Sequence, residues 1–277
     1  ETCALDAVGA DFVREVEPGE IVIITDQGVE SLTPFRRRSS APCLFEFVYF
    51  ARPDSIIQGQ SVYNVRRRMG IRLAEETPAN ADVIVPVPDS GNPAALGFSE
   101  ASGIPFQFGI IRNHYVGRSF IQPTAGERQS SVSKKHSPNK WVLDGKSVVL
   151  VDDSIVRGTT SKRIVQMVRD AGAREIHFRS ASPPIKFPDF YGIDMPSERD
   201  LLAANHSLEE MSEELGVDSL GFLSVEGLYW AVGDIQRNPN SPQYADHCFT
   251  GDYPTRLIDR RNDEGRRGDE QLSFLDD

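Results

Sequence analysis

Residues 147–161 read SVVLVDDSIVRGTTS, and no other stretch restricts the fold of this chain so tightly. Val148, Val149, Leu150 and Val151 form an unbroken apolar run, the pattern of a strand covered on both faces in a parallel sheet. Two carboxylates, Asp152 and Asp153, end it. A small, hydroxyl-rich turn follows, Ser154, Ile155, Val156, Arg157, Gly158, Thr159, Thr160 and Ser161, whose backbone N–H groups can converge on a phosphate at the start of the next helix. That helix is readable: Ile164, Val165, Val168 and Ala171 share one face, and Gly172 stands where a left-handed cap would close it. Strand, acidic pair, amide-rich loop and helix N-terminus describe a site for a phosphorylated sugar, with carboxylates for ribose hydroxyls or a metal and amides for a 5'-phosphate. The plainer reading, a buried strand that happens to end in acids and a Ser/Thr cap, has to explain too many fixed positions at once. No GxxxxGK[ST] and no strand-linked GxGxxG occurs, so the other common phosphate loops are set aside.

The segment resembles the 5-phosphoribosyl-1-pyrophosphate (PRPP) loop of type I phosphoribosyltransferases. A second loop, Pro86-Val87-Pro88-Asp89-Ser90-Gly91, also leaves a strand end. Two prolines stiffen it, and Ser90 and Gly91 let amides face a pyrophosphate. Alone it would read as a Pro-rich turn. A third stretch, 112–135, is polar and long for a link between neighbouring strands, and such loops are functional lids or disordered. It carries Arg118, Arg128, Lys134 and Lys135, so closure over a pyrophosphate would neutralise charge and exclude water.

Around these loops the chain alternates between strand and helix patterns. Strands are predicted at Cys43–Ala51, Val83–Val85, Phe106–Ile111, 148–151 and Glu175–Arg179. Helices are predicted at Val62–Glu76, from Pro93 to Gly103, and after 158. This βα rhythm predicts an α/β fold with a mainly parallel sheet flanked by helices, and ligands at the carboxyl ends of the strands. Farther on, Ser197 and Ser207 read as helix caps, Ser207 with Glu210 as a capping box, before short hood helices bearing Leu208, Met211, Leu215, Leu228 and Val232. Ile21–Thr25 and Val29–Thr33 flank Asp26-Gln27-Gly28 as a hairpin that cannot stand alone. Residues 1–40, ending in the basic run Arg36-Arg37-Arg38, are therefore expected to be the end of an upstream domain. Residues 41–256 are expected to form the main domain and 257–277 a mobile tail rich in Asp, Arg, Glu and Gly.

With a net charge of −11, general attraction to nucleic acid or an anionic membrane is excluded, so anionic ligands must be held locally. Cys3, Cys43 and Cys248 are few, odd in number and widely spaced, which fits a reducing cytoplasm rather than a secreted disulfide framework. No apolar stretch reaches the roughly 18 residues of a membrane span.

Taken together, CLFEFVYFARPDS (43–55), PVPDSG, YVGRSFIQPT (115–124), VDDSIVRGTT and SPPIKFPDFYGIDM (182–195) resemble the amidophosphoribosyltransferases, the glutamine PRPP amidotransferases that open purine synthesis. The resemblance runs from Glu1 to about Arg256. It implies a type I phosphoribosyltransferase fold with a flexible loop and hood, preceded by the residual β segment of an N-terminal-nucleophile glutaminase domain. It implies formation of 5-phosphoribosylamine, pyrophosphate and glutamate from PRPP and glutamine-derived ammonia. By resemblance Ser90, Asp152 and Asp153 match Mg²⁺ positions, Asp152 and Asp153 also face the ribose, and Asp89, Ser90, Gly91 and Ser154 to Thr160 hold PRPP. Arg118, Arg128 and Lys135 join the acids in catalysis. Purine nucleotides as inhibitors and a homo-tetramer are implied as well. Members that carry an iron–sulfur cluster hold it with four cysteines, and the matching positions here are Cys43, Asp189, Ala245 and Cys248, so no cluster is expected. Cys3 matches a non-catalytic position, and the glutaminase nucleophile is expected on the part of that domain this chain lacks. Two other readings of the phosphate loop stay open: a salvage phosphoribosyltransferase taking a nucleobase, against which 182–195 argues, and a PRPP-sensing regulator, which should carry a basic DNA-binding face.

Overall fold

The computed structural model describes residues 1–35, 39–113, 136–233, 235–255 and 257. The basic run Arg36 to Arg38, the loop cations Arg118, Arg128, Lys134 and Lys135, and the tail beyond 257 lie outside the described residues.

Helix α1 (Thr2–Val8), which no capping or periodic signal announced, precedes the hairpin of β1 (Ile21–Thr25) and β2 (Gly28–Leu32). Thr25 pairs with Gly28, so the turn is only Asp26-Gln27, one residue shorter than expected. Both strands are largely exposed.

The expected strand at Cys43–Ala51 does not form. Cys43 makes one isolated bridge to Ala245, and the chain then winds into a helical turn that ends as a π-helix over Glu46–Phe50, with Ala51 N–H donating to the Glu46 carbonyl at 3.0 Å. An apolar run cannot separate strand from buried helix by composition. What decides is burial: Leu44, Phe47, Val48 and Ala51 face the core at i, i+3, i+4, i+7 spacing, while Tyr49 and Phe50 are exposed.

The short pair β3 (Ile56–Ile57) and β4 (Gln60–Ser61) leads into α2 (Val62–Glu76), whose Val62, Val65, Met69 and Leu73 are buried as expected. Next come β5 (Val83–Pro86), α3 (Asn92–Ser102), β6 (Ile110–Arg112), β7 (His136–Pro138), α4 (Lys140–Leu143), β8 (Ser147–Asp152), α5 (Thr159–Asp170) and β9 (Glu175–Ser180). They are followed by α6 (Leu202–Asn205), α7 (Leu208–Leu215), β10 (Ser219–Phe222), α8 (Val225–Gly233) and α9 (His247–Thr250). Ser207 caps α7 in the expected capping box.

The central sheet runs β10-β9-β8-β5, every pair parallel. Beyond β5 the predicted strand at Phe106–Ile111 splits. Phe106 bridges Ile84 in parallel, then β6 turns away to pair antiparallel with β7, Arg112 opposite His136. Val149 and Val151 point into the core under α2, α3 and α8, whereas Val148 and Leu150 point into the core under α5 and α7. All four are fully buried, each contributing about 1.5–3 kcal/mol. That burial holds the end of β8, and the two acids on it, in one place.

Candidate functional site

Asp152 and Asp153 leave the carboxyl end of β8, 7% and 8% exposed. Asp152 Oδ1 accepts from the Asp153 N–H at 2.9 Å, and Asp153 accepts from the hydroxyls of Ser154 and Ser90. Burial, reinforced by the charge of Asp153, raises the Asp152 carboxyl well above the usual range. Burial raises Asp153 as well, though Ser154, Ser90 and the Arg66 guanidinium partly offset it. Two adjacent buried carboxylates short of positive charge are a donor set for a hard divalent cation.

The loop after Asp153 is fastened from below. Ile155, expected among the phosphate contacts, is buried in the core with only its backbone left for a ligand, and the Val156 carbonyl accepts from Leu202 N–H at 2.9 Å. Gly158 takes φ +74°, and a Cβ there would meet Leu202 at 2.8 Å. As the N-cap of α5 it offers no side chain, so the first-turn amides and the positive helix end face outward. A cleft of about 420 Å³ opens above them, lined by Asp152, Ser154, Val156, Arg157, Gly158, Thr159, Thr160 and Ser161 and, from another segment, by Asp194 and Pro196.

The second loop docks on the same strand end: Val87 N–H donates to the Val151 carbonyl at 2.8 Å and Gly91 N–H to the Val87 carbonyl at 3.0 Å. A Cβ on Gly91 would lie 2.5 Å from the Val151 carbonyl, so the approach requires glycine. This contact carries Ser90 to Asp153. Asp89 is paired with Arg112 instead, both half exposed. A cleft of about 610 Å³ joins Asp89, Ser90 and Arg112 to Arg66, Tyr49 and His136. A smaller apolar recess of about 250 Å³ lies beside Asp153 and Ser154, between Phe45, Tyr49 and Phe50 and the segment Ile193 to Met195. Arg118, Arg128 and Lys135 are outside the described residues, but the β6–β7 ladder sets both ends of their segment, Arg112 and His136, at the 610 Å³ cleft.

Arg66 had no place in the sequence reading. It donates through Nε to the Phe47 carbonyl at 2.8 Å and through a terminal nitrogen to the Ala51 carbonyl at 2.7 Å, and its charge bears on Asp153. Its signal was there: an arginine four residues after Val62 and three before Met69 interrupts an apolar stripe. Cys43 pairs with Ala245, and Asp189 bonds His247, next to Cys248.

A family model described as a phosphoribosyl transferase domain matches residues 54–181. An amidophosphoribosyltransferase of Rhizobium etli is 58% identical over 269 residues, 95% of this chain and 54% of that protein. A glutamine PRPP amidotransferase of B. subtilis, solved in complex with ADP and GMP, superposes with a TM-score of 0.84 at 50% identity, covering 93% of this chain and 56% of that one. A structure described as the allosteric regulatory enzyme of purine biosynthesis gives a TM-score of 0.85 at 49% identity, covering 93% and 55%. The chain thus spans about half the length of the relatives it matches.

Proposed function

The chain belongs to the amidophosphoribosyltransferase family, and from that premise we propose that its two loops bind PRPP and carry the pentosyl-transfer half of that reaction, with ammonia displacing pyrophosphate at C1 of the ribose to give 5-phosphoribosylamine. One observation carries the reading: the Asp152–Asp153 pair stands between the amide-rich start of α5 and the Ser90 loop, so one ligand can span a phosphate site, a ribose site and a pyrophosphate site.

Breaking the anomeric bond builds positive charge on the sugar and negative charge on the departing pyrophosphate. In this reading Asp152 and Asp153 face the ribose and stabilise the first, while the N–H groups from Ser154 to Thr160 hold the 5'-phosphate. Asp89, Ser90 and Gly91 receive the pyrophosphate, whose charge Arg118, Arg128 and Lys135 neutralise. The donor set of Asp152, Asp153 and Ser90 fits Mg²⁺, which when bound would supply Lewis-acid neutralisation of the leaving group. Ammonia is already a nucleophile, so no base or covalent intermediate is needed.

The remaining assignments follow the same reading. Residues 1–40 are the end of a glutaminase domain, 41–256 the phosphoribosyltransferase domain and 257–277 a tail. Glutamine-derived ammonia comes from the rest of that glutaminase, the assembly is a homo-tetramer, and the setting is cytoplasmic. The apolar recess beside Asp153 supports binding of purine nucleotides as inhibitors, because it offers aromatic surface for a base next to the ribose acids.

Purified chain supplied with PRPP, Mg²⁺ and a high concentration of ammonium should release pyrophosphate, whereas glutamine alone should give neither pyrophosphate nor glutamate. Calorimetry should detect Mg²⁺-dependent PRPP binding. Pyrophosphate release driven by a nucleobase without ammonia would transfer the chain to the salvage reading, and failure to bind PRPP would overturn both.

A further inference from the structure

The proposed reaction leaves one imidazole at the pyrophosphate cleft without a role. His136 opens β7 opposite Arg112, so the β6–β7 ladder carries it to the 610 Å³ cleft that Asp89 and Ser90 line. Its Nε2 lies 3.3 Å from the Pro88 carbonyl oxygen of the second loop. A carbonyl only accepts, so Nε2 holds a proton and donates. The other ring nitrogen, Nδ1, is buried without a hydrogen-bond partner. Folded proteins seldom keep such an atom without a water, ion or ligand to meet it. The charged and titratable groups around the same cleft are Arg112 of β6, paired with Asp89 of the loop, Arg66 of α2, Tyr49 of the π-helix, and Arg52 just after it, paired with Asp54. Among the described lining residues guanidinium groups outnumber carboxylates three to one, which favours an anion.

We propose that His136 is a pyrophosphate-binding residue, and that its ring takes up a proton when the ligand arrives. The proposal rests on the reading of the Asp89-Ser90-Gly91 loop as the pyrophosphate site. Ionised phosphate oxygens and the Pro88 carbonyl are all acceptors, so an imidazole that bridges them must donate from both nitrogens and carry a second proton. That proton comes from solvent, and the ring becomes an imidazolium as Nδ1 meets a pyrophosphate oxygen. Turning about the Pro88 contact brings Nδ1 to the cleft, where a charge-assisted hydrogen bond replaces an unmet buried atom. The negative charge of the ligand offsets the new positive charge beside the guanidinium groups of Arg52, Arg66 and Arg112. During cleavage of PRPP the imidazolium holds part of the charge that the broken bond leaves on pyrophosphate. When pyrophosphate departs, the proton returns to solvent.

The test is calorimetric. Parent and His136→Gln chains are titrated with inorganic pyrophosphate and Mg²⁺ at about pH 8 in two buffers of different ionisation enthalpy, which counts the protons taken up per ligand bound. Glutamine keeps a donor for the Pro88 carbonyl but gains no proton, so the parent should take up at least about half a proton more than the variant. By the same linkage, the pyrophosphate Kd of the parent should rise about fivefold more than that of the variant between about pH 7 and pH 8.5. In ¹⁵N spectra of histidine-labelled parent, one ring should pass from singly to doubly protonated when pyrophosphate and Mg²⁺ are added. His206→Gln, on the exposed surface, should behave as the parent. Equal proton counts in parent and His136→Gln, no ring that gains a proton, or no binding of pyrophosphate would each overturn the proposal. If the variant fails to fold, the ¹⁵N spectrum of the parent decides. The same titrations with PRPP separate the two claims. Pyrophosphate bound with proton uptake while PRPP does not bind upholds the role of His136 and sinks the proposed reaction, whereas PRPP bound with equal proton counts sinks the role of His136 alone.

Discussion

One sheet carries aspartates at both ends and gives them opposite surroundings. At the amino end, Asp218 accepts from the Ile176 N–H at 2.8 Å and from Arg169 at 2.8 Å. Burial alone would raise its carboxyl, but the Ile176 amide and the Arg169 guanidinium bring it below the ordinary value. Asp82 likewise accepts from the Ser147 N–H at 2.8 Å, with Arg174 at 3.6 Å. At the carboxyl end Asp152 and Asp153 are more deeply buried, adjacent, and raised instead of lowered. Carboxylates that meet N–H groups and guanidinium groups stabilise a fold. Carboxylates buried with too few such partners cost stability, and a fold retains them where a ligand will supply the missing charge.

The comparison breaks most sharply at the acidic pair. Asp152→Asn with Asp153→Asn keeps shape but removes the charge facing the ribose, so ammonia-dependent pyrophosphate release should fall by about 10²–10³ or more, the cost typical of one lost electrostatic contact. Stability should move the other way. Both carboxyls are raised in the folded state, so their favourable contribution is complete below about pH 4 and disappears as pH climbs through the raised values. Near neutrality the folded chain carries the burial penalty, and asparagine relieves it. Thermal melts without metal should therefore show the variant gaining on the parent between pH 4 and pH 7.5. A lower melting temperature with turnover per folded molecule preserved would make the pair a strand-end turn and nothing more.

A smaller effect is expected where the second loop rests on β8. In Gly91→Ala the new Cβ has the Val151 carbonyl at 2.5 Å and the Val87 carbonyl at 2.8 Å, both backbone, so the loop must lift. Overpacking of this kind costs about 1–3 kcal/mol. Because the loop brings Ser90 to Asp153, Mg²⁺-dependent PRPP binding should weaken by roughly tenfold, which corresponds to about 1.4 kcal/mol. Equal PRPP affinity in a calorimetric titration would show that the two loops act separately.

Legibility differs between these regions for the same physical reason. The strand, the acids and the start of α5 were readable because each obeys a local rule: an apolar run, a carboxylate pair, a small hydroxyl-rich turn before an apolar helix face. The same holds for α2 and the capping box of α7. What stayed hidden depends on contacts across the chain. The run at Cys43–Ala51 folds as a helical turn because one face is buried against distant parts of the chain, and Arg66, outside the run, takes the Phe47 and Ala51 carbonyls. The closeness of Asp189 to His247 follows from a loop and a helix 58 residues apart, with no spacing motif to announce it. The amino-end network was equally silent, since a lone aspartate before a short strand looks like any turn residue.

That network gives the smallest predicted effect and tests the other half of the comparison. Asp218→Asn keeps an oxygen for the Ile176 N–H and loses the ion pair with Arg169, 2.8 Å in the parent. The Asp218 side chain is 40% exposed, so solvent screening limits the loss to about 1 kcal/mol or less. Since the folded carboxyl is lowered, its contribution is present above the ordinary value of about 4 and fades as pH falls through the lowered one. Parent and variant should therefore differ by a few degrees in melting temperature at neutral pH and converge in acid, the reverse of the acidic pair, while ammonia-dependent turnover stays the same. If the variant loses turnover at full stability, the two ends of the sheet do not divide stability from chemistry, and the contrast between satisfied and unsatisfied carboxylates fails as a guide to the site.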